Sequence, residues 1–191
     1  MKAKYWIRLL ILCMILSVAF CSSCAPKFNP DNPPWSTCSS AHGDNACDFV
    51  LQDQNGDQVR LYDYYGKVII LDFSAMWCGP CRSAAMEVDS TTLKYGSDEV
   101  VYMTILIENS FGKDPDQRDL ENWASSYGIN INPVLAGSRN WLYSSNWHIS
   151  AWPTFFIIDQ NMTVRSTIIG FSKYEIESTI EHLLSEQDTG S

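Results

Sequence analysis

Basic residues are scarce in this sequence. Its 191 residues include 13 lysines and arginines against 22 aspartates and glutamates, which gives a formal net charge of −9 at pH 7. A surface of this sign repels the phosphate backbone, so we expect no nucleic-acid partner. No internal repeat is present either. The composition is that of an ordinary globular chain and excludes the nucleic-acid-binding classes.

Long apolar runs are also lacking. The run at 9–20 is about a dozen residues, whereas a membrane-spanning helix needs about 20. It follows a basic segment, 1–8, and precedes the small residues Ser22 and Ser23, which is typical of a cleaved export signal. No later segment is apolar enough to span a membrane. The sequence therefore predicts a protein exported from the cytoplasm.

The signal is closed by two cysteines, Cys21 and Cys24. This arrangement resembles a bacterial lipoprotein signal, in which the segment ends at a cysteine that is lipidated and becomes the new N-terminus. Cys24 fits better because two serines precede it, whereas Cys21 follows the bulky Phe20. The resemblance implies a signal peptide at 1–23 and a lipid on Cys24. An ordinary secretory signal that leaves Cys24 free is the alternative.

Residues 24–47 are rich in proline, asparagine, aspartate and serine. Such a segment buries no core and suits a flexible tether between a membrane and a domain. The folded domain is predicted at 48–187, about 140 residues with one core, followed by a disordered tail at 188–191. Within the tether, Cys38 and Cys47 either form a disulfide across a short loop or stay free.

Strand and helix patterns alternate through the predicted domain. An Asn-Gly turn predicts a hairpin at 49–61. Apolar runs predict strands at 68–73, 100–107 and 133–135 and a second hairpin that joins 154–158 to 163–169. Helices are predicted at 80–95, 114–128, 140–147 and from 172 onward, the second with Asp114 as N-cap and Gln117 completing a capping box. This order implies a central sheet with helices on both faces.

Two cysteines directly follow the first buried strand, in the stretch Trp77-Cys78-Gly79-Pro80-Cys81. Such a pair can pass two electrons by opening and closing one disulfide. At the start of a helix, the sulfur of the first cysteine faces unpaired N–H groups, which stabilise a thiolate and lower its pKa from about 8.5 toward roughly 7. A zinc site would need a second pair of cysteines, and the available pair, Cys38 and Cys47, does not share this spacing. We therefore predict a redox motif without metal or cofactor.

The motif and its surroundings resemble thioredoxin. The similarity lies in 68–81 and in Trp152-Pro153-Thr154, which precedes a hairpin and a last helix. The leading hairpin and the inserted helix and strand at 114–135 are similar to the exported TlpA/ResA-type thiol–disulfide oxidoreductases. The resemblance covers about 48–186. It implies an α/β, thioredoxin-like fold with a central mixed sheet, helices on both faces, an N-terminal β-hairpin extension and an inserted helix and strand.

The resemblance also implies roles for individual residues. Cys78, at the helix start, is the nucleophile, and Cys81 is the resolving thiol. Asp72 corresponds to a buried carboxylate that accepts a proton from Cys81. An aspartate bonded to backbone at a strand end is the alternative. Thioredoxin pairs this acid with a lysine on the next strand, where this chain has none, so water or Glu108 would handle the proton.

Pro153 resembles the cis-proline that faces the disulfide in this family, and an ordinary trans-proline at a strand start is the alternative. With Trp77, Gly79, Pro80 and Trp152 it forms the predicted substrate-binding surface. Trp152 departs from the family, whose members often carry a smaller residue there.

The implied function is a thiol–disulfide oxidoreductase that reduces protein disulfides outside the cytoplasm, since the Gly-Pro dipeptide resembles that of the reducing thioredoxins. The implied partners are protein disulfides, apocytochrome c among them, and a membrane thiol donor of electrons. The implied location is the periplasmic side of a membrane, through the N-terminal lipid. A peroxiredoxin-like peroxidase and a non-enzymatic binding or chaperone module are the alternatives.

Overall fold

The computed structural model describes residues 27–189, and their side chains as far as 186. The chain divides into a short unit at 1–32 and a main unit at 33–191. In the first, Asn32 donates its N–H to the carbonyl of Asn29 at 3.1 Å, forming a turn. The predicted export signal, with Cys21 and Cys24, lies outside the described residues. Within the described part, no helix has the length and apolar character needed to cross a bilayer.

Seven strands and five helices form the described part of the main unit. The strands are β1 Val50–Gln52, β2 Gln58–Arg60, β3 Val68–Ala75, β4 Val100–Glu108, β5 Val134–Ala136, β6 Thr154–Ile158 and β7 Val164–Ile169. The helices are α1 Gly79–Ala85, α2 Val88–Tyr95, α3 Gln117–Tyr127, α4 Arg139–Ser144 and α5 Lys173–Thr189, and a 3₁₀ turn spans Leu61–Tyr64.

Strands β3 to β7 form one mixed sheet in the order β5-β4-β3-β6-β7. β3 is parallel to β4, and β4 is parallel to β5, whereas β6 and β7 are antiparallel to their neighbours. Every residue of β3 and β4 is buried, as expected for parallel strands covered on both faces. β1 and β2 form a separate antiparallel hairpin. The predicted mixed sheet and its N-terminal hairpin are confirmed.

The two faces of the sheet have different coverings. Val68 and Ile70 point to one face, where they join a cluster with residues of α1, α2, α3 and α5. Phe73 alternates to the other face, where its ring packs 5.6 Å from that of Trp147 and 6.2 Å from that of Trp141 on α4. Helices therefore cover both faces, and aromatic rings fill the second.

The predicted helix at 80–95 is interrupted and forms α1 and α2. Between them, Glu87 donates its N–H to the carbonyl of Ala84 at 2.9 Å, which is the i−3 bond of a tightened turn. No glycine or proline lies between Cys81 and Tyr95. The sequence therefore offers no local mark of this break.

The N-cap of α3 is Asp116, and the prediction of Asp114 was wrong. The Asp116 carboxylate accepts the N–H of Asp119 at 3.0 Å, and the Asp119 carboxylate accepts the N–H of Asp116 at 3.0 Å. Gln117, expected to complete a capping box, instead donates its side-chain amide to the carbonyl of Gln54 at 2.6 Å. The reciprocal bonds fix the helix start two residues later than expected.

Ordered contacts of the main unit begin before Asp48. Gly43 donates its N–H to the carbonyl of Val164, and Ala46 donates to that of Met162, at 2.8 and 2.7 Å. Cys38 and Cys47 are joined in a disulfide, one of the two possibilities that the sequence left open. The segment ahead of β1 therefore packs against the β6–β7 hairpin. At the other end of the chain, α5 continues to Thr189.

Candidate active site

The Cys78–Cys81 disulfide lies where β3 gives way to α1. Cys78 is the N-cap of α1, and its Sγ accepts the N–H of Cys81 at 3.2 Å. The two sulfurs are bonded to each other. Cys78 is 4% exposed and Cys81 is fully buried. Gly79 and Pro80, between them, are exposed. Of the two cysteines, the first is therefore the one nearer to solvent.

Trp77 is held beside the motif by a buried carboxylate. Its indole Nε1 donates to Glu108 at 2.7 Å, and the other oxygen of Glu108 accepts from the guanidinium of Arg139 on α4. Burial alone would raise the pKa of Glu108, but the hydrogen bonds from Arg139 and Trp77 outweigh it and hold this pKa below its usual value. Trp77 itself is 46% exposed. Glu108 is therefore an ionised anchor for an exposed indole, which argues against the proton-handling role considered for it.

Asp72 lies on β3, on the sheet face that α1 covers, and is 1% exposed. Burial raises its pKa to about 7, although hydrogen bonds from Ser74 and Tyr102 oppose the rise. The Ser74 hydroxyl donates to the carboxylate at 2.7 Å, and the Tyr102 hydroxyl lies 3.5 Å from its other oxygen. Both protonation states of Asp72 are therefore populated near neutral pH.

The partner of this carboxylate on the neighbouring strand is a tyrosine. Tyr102 on β4 is buried, and burial together with the nearby Asp72 charge raises its pKa well above 10. Asp72 stands directly opposite Thr104 in the β3–β4 register, and the Thr104 hydroxyl is buried without a hydrogen-bond partner among the described residues. A neutral, polar environment thus replaces the cation that thioredoxin places here.

Pro153 directly precedes β6, at the end of the sheet where β3 runs into the motif. The register pairs Phe73 with Thr154, so Pro153 stands at the same edge as the disulfide. The Trp152–Pro153 peptide bond is cis, as expected from the sequence. Trp152 is half-buried and packs against the cluster that contains both cysteines. The carbonyl of Pro153 accepts the N–H of Gly170 at 2.8 Å.

The sequence profile of the AhpC/TSA family matches residues 42–167 of this chain. The chain belongs to this family. One relative, the thiol–disulfide oxidoreductase ResA of Geobacillus kaustophilus, is 28% identical over 144 residues, which are 75% of this chain and 78% of the relative.

Solved structures agree with that match. A protein of Chlorobium tepidum assigned as the thiol:disulfide interchange protein DsbE is 27% identical, with a TM-score of 0.59 over 76% of this chain and 96% of that one. The exposed lipoprotein thioredoxin Etrx1 of Streptococcus pneumoniae is 28% identical, with a TM-score of 0.58 over 72% and 100%. These relatives confirm the thioredoxin-like fold and the class of function, a thiol–disulfide oxidoreductase.

Three residues of the site were missed by the sequence reasoning. Ser74 could have been found, because it lies two positions after Asp72 and therefore on the same face of β3. Tyr102 would have followed from the register of the next strand. Arg139 had no signal, since it is 31 residues from Glu108 and lies on a short helix whose placement depends on tertiary packing.

Proposed function

We propose that this chain reduces protein disulfides outside the cytoplasm, with Cys78 and Cys81 alternating between dithiol and disulfide. The observation that carries the proposal is the position of Cys78. It caps α1, its sulfur accepts the N–H of Cys81, and it is the more exposed cysteine, beside the exposed Trp77. The same N–H would stabilise a thiolate at Cys78 once the disulfide is reduced.

The reaction then takes two exchange steps. The Cys78 thiolate attacks one sulfur of the substrate disulfide, that disulfide breaks, and the other substrate sulfur leaves as a thiolate. The Cys81 thiolate next attacks Cys78 Sγ, which closes the Cys78–Cys81 disulfide and releases the second substrate sulfur. Two electrons pass from the protein to the substrate. A fresh dithiol must be supplied by an external thiol donor.

Asp72 would take the proton that Cys81 loses before its attack. A pKa of about 7 suits this role, since the carboxylate form can accept a proton and return it at neutral pH. Support comes from its burial on the face of β3 that α1 covers, the helix that holds Cys81. Ser74 and Tyr102 would orient the carboxyl group by hydrogen bonds.

The substrate would bind as an extended segment across the surface of Trp77, Gly79, Pro80, Trp152 and Pro153. The first three are exposed around the disulfide, and the last two stand at the same edge of the sheet. Because Glu108 fixes the indole of Trp77, the ring would present a rigid apolar face to the substrate.

A lipid on Cys24 would hold the domain at the membrane, with the residues ahead of the main unit as the tether. The export signal and the similarity to an exposed lipoprotein thioredoxin support this location. A reductase on the periplasmic side needs imported electrons, so its donor would be a membrane thiol protein. Apocytochrome c, whose haem-attachment cysteines must stay reduced, is one candidate substrate. Exported proteins with wrongly paired disulfides are another.

Trapping with Cys81→Ala tests the proposal, because the first step then stops at the mixed disulfide on Cys78. We expect covalent complexes that dithiothreitol releases, and none with the matched Cys78→Ala/Cys81→Ala variant. Complexes limited to apocytochromes would select the maturation role, whereas a broad set would select general reduction. No complex, together with no reduction of a protein disulfide by the wild type, would overturn the proposal.

Two assays on the purified protein distinguish the reductase from the two alternative functions, a peroxidase and a binding or chaperone module. A peroxidase would consume hydrogen peroxide with turnover that depends on Cys78. A binding or chaperone module would keep its activity in Cys78→Ser/Cys81→Ser, whereas a reductase loses all activity there.

A further inference from the structure

We propose that a pocket beside the disulfide binds a carboxylate of the protein substrate, an inference that rests on the proposed reductase function. The pocket lies between the motif and α3, has a volume of about 210 Å³, and is called here the donor pocket. The polar side chains that line it are Arg82, Ser110, Asn122, Trp123, Ser126 and Tyr127.

The donor pocket adjoins the reactive sulfurs along the chain. Its wall includes Met76, the second residue before Cys78, and Arg82, the residue directly after Cys81. Arg82 Nε donates to the carbonyl of Met76 at 2.9 Å, which holds the guanidinium at the rim of the motif. The opposite wall comes from α3. A substrate whose disulfide meets Cys78 would therefore place its neighbouring residues at this pocket.

The chemistry of the lining favours an acceptor of hydrogen bonds. Guanidinium and indole groups only donate, hydroxyl and amide groups can donate, and no carboxylate lines the pocket. Among the side chains that the structure describes, those of 27–186, no acidic group pairs with Arg82. The Nε1 of Trp123 is buried and lacks a hydrogen-bond partner in the same range. A lining of donors with one unpaired cation fits a carboxylate, and the volume suits a single aspartate or glutamate side chain.

The net charge of the chain means that the donor pocket and long-range electrostatics predict opposite preferences for an acidic substrate. At −9, the protein repels acidic peptides at long range, so without a local site an acidic substrate should react more slowly than a neutral one. The donor pocket predicts the opposite order. A substrate carbonyl or hydroxyl in the pocket would give no preference that depends on charge.

The test uses two peptides that each contain one disulfide and differ only by glutamate or glutamine beside a cysteine. Their rate constants for reduction by the pre-reduced protein are measured in single turnover. We expect the glutamate peptide to react about fivefold faster at low salt, the upper range for an exposed ion pair. The preference should vanish near 1 M salt, where charges are screened within about 3 Å.

Variants then assign the preference to the donor pocket. Arg82→Gln should bring the ratio of the two rate constants to one or below, and Arg82→Lys, which keeps the charge, should retain part of it. Arg118→Gln removes the same charge from an exposed position on α3 outside the pocket and should leave the ratio unchanged.

Equal rates for both peptides, a faster glutamine peptide, or an Arg82→Gln variant that slows both peptides alike would overturn the donor pocket. Failure of the reductase proposal looks different, because the wild type would then reduce neither peptide. The salt dependence of the wild type tests the proposal without relying on the folding of any variant.

Discussion

Asp72 couples the chemistry of the site to the stability of the fold. Its pKa is about 7 in the folded protein, against 3.8 for an exposed aspartate, because burial penalises the charge. Below about pH 4 the group is protonated in both states. As the pH rises, the unfolded chain loses this proton first, so the folded state becomes less stable until Asp72 ionises near pH 7.

Asp72→Asn should remove this loss of stability. The amide keeps the shape and can still accept from Ser74, while it never takes a charge into the core. We expect the stability of the variant relative to wild type to rise by about 3 to 4 kcal/mol between pH 4 and pH 8. Urea unfolding of the oxidised proteins at both pH values measures it. Asp98→Asn, the same change on the surface, is the control, and a difference that does not vary with pH would contradict the argument.

The residues of the site differ in how far their roles could be predicted from the sequence. The two cysteines and Asp72 stand in one short stretch whose spacing carries the chemistry, so the sequence alone suggested their roles. The hydrogen bonds that hold Trp77 could not be predicted from the sequence. Glu108 accepts from both Trp77 and Arg139 only because β4 packs against α4. The sequence did place Glu108 near the site, but its pairing with two donors assigns it to holding Trp77.

At the scale of helices and strands, local sequence patterns were enough to predict an element where the residues that determine it lie close together in the sequence. The Asn-Gly hairpin and the buried β3 follow from turn chemistry and apolar runs, and both are present. The break between α1 and α2 depends on how Glu87 and the neighbouring turn pack, which no local pattern encodes. The start of α3 was only partly predictable. Asp114 and Asp116 are both suitable N-cap residues, and the conformation of the backbone determines which of them caps the helix.

That choice between two caps is directly testable. Asp116→Ala removes the acceptor for the Asp119 N–H and the reciprocal bond, so we expect a loss of about 1 kcal/mol in the free energy of unfolding. Asp114→Ala, two residues earlier and exposed, should change it by less than about 0.5 kcal/mol. Urea unfolding compares them. Equal effects would mean that charge near the helix start matters and that the capping bonds do not.

At the scale of the whole molecule, the segment ahead of β1 is attached to the domain at several points. The indole of Trp35 donates to the Tyr62 hydroxyl at 2.9 Å, and that hydroxyl donates to the carbonyl of Ala46 at 2.8 Å. Backbone bonds from Gly43 and Ala46 reach the β6–β7 hairpin. The Cys38–Cys47 disulfide closes the loop between these points. The composition of 24–47 suggested a tether because it lacks apolar runs, whereas these attachments come from backbone groups and single aromatic rings.

Removal of this second disulfide should weaken the fold and spare the chemistry. Closing a loop with a sequence separation of 9 restricts the unfolded chain, and Cys38→Ser/Cys47→Ser should lower the free energy of unfolding by about 2.5 kcal/mol. The rate of disulfide reduction by the Cys78–Cys81 pair should stay unchanged, because neither removed sulfur lies in the motif. Urea unfolding and a reductase assay measure the two effects. In a Cys78→Ser/Cys81→Ser background, dithiothreitol should reproduce the loss of stability. A variant as stable as wild type would show that this disulfide does not strengthen the attachment. A variant that loses reductase activity while folded would show that it takes part in the exchange chemistry.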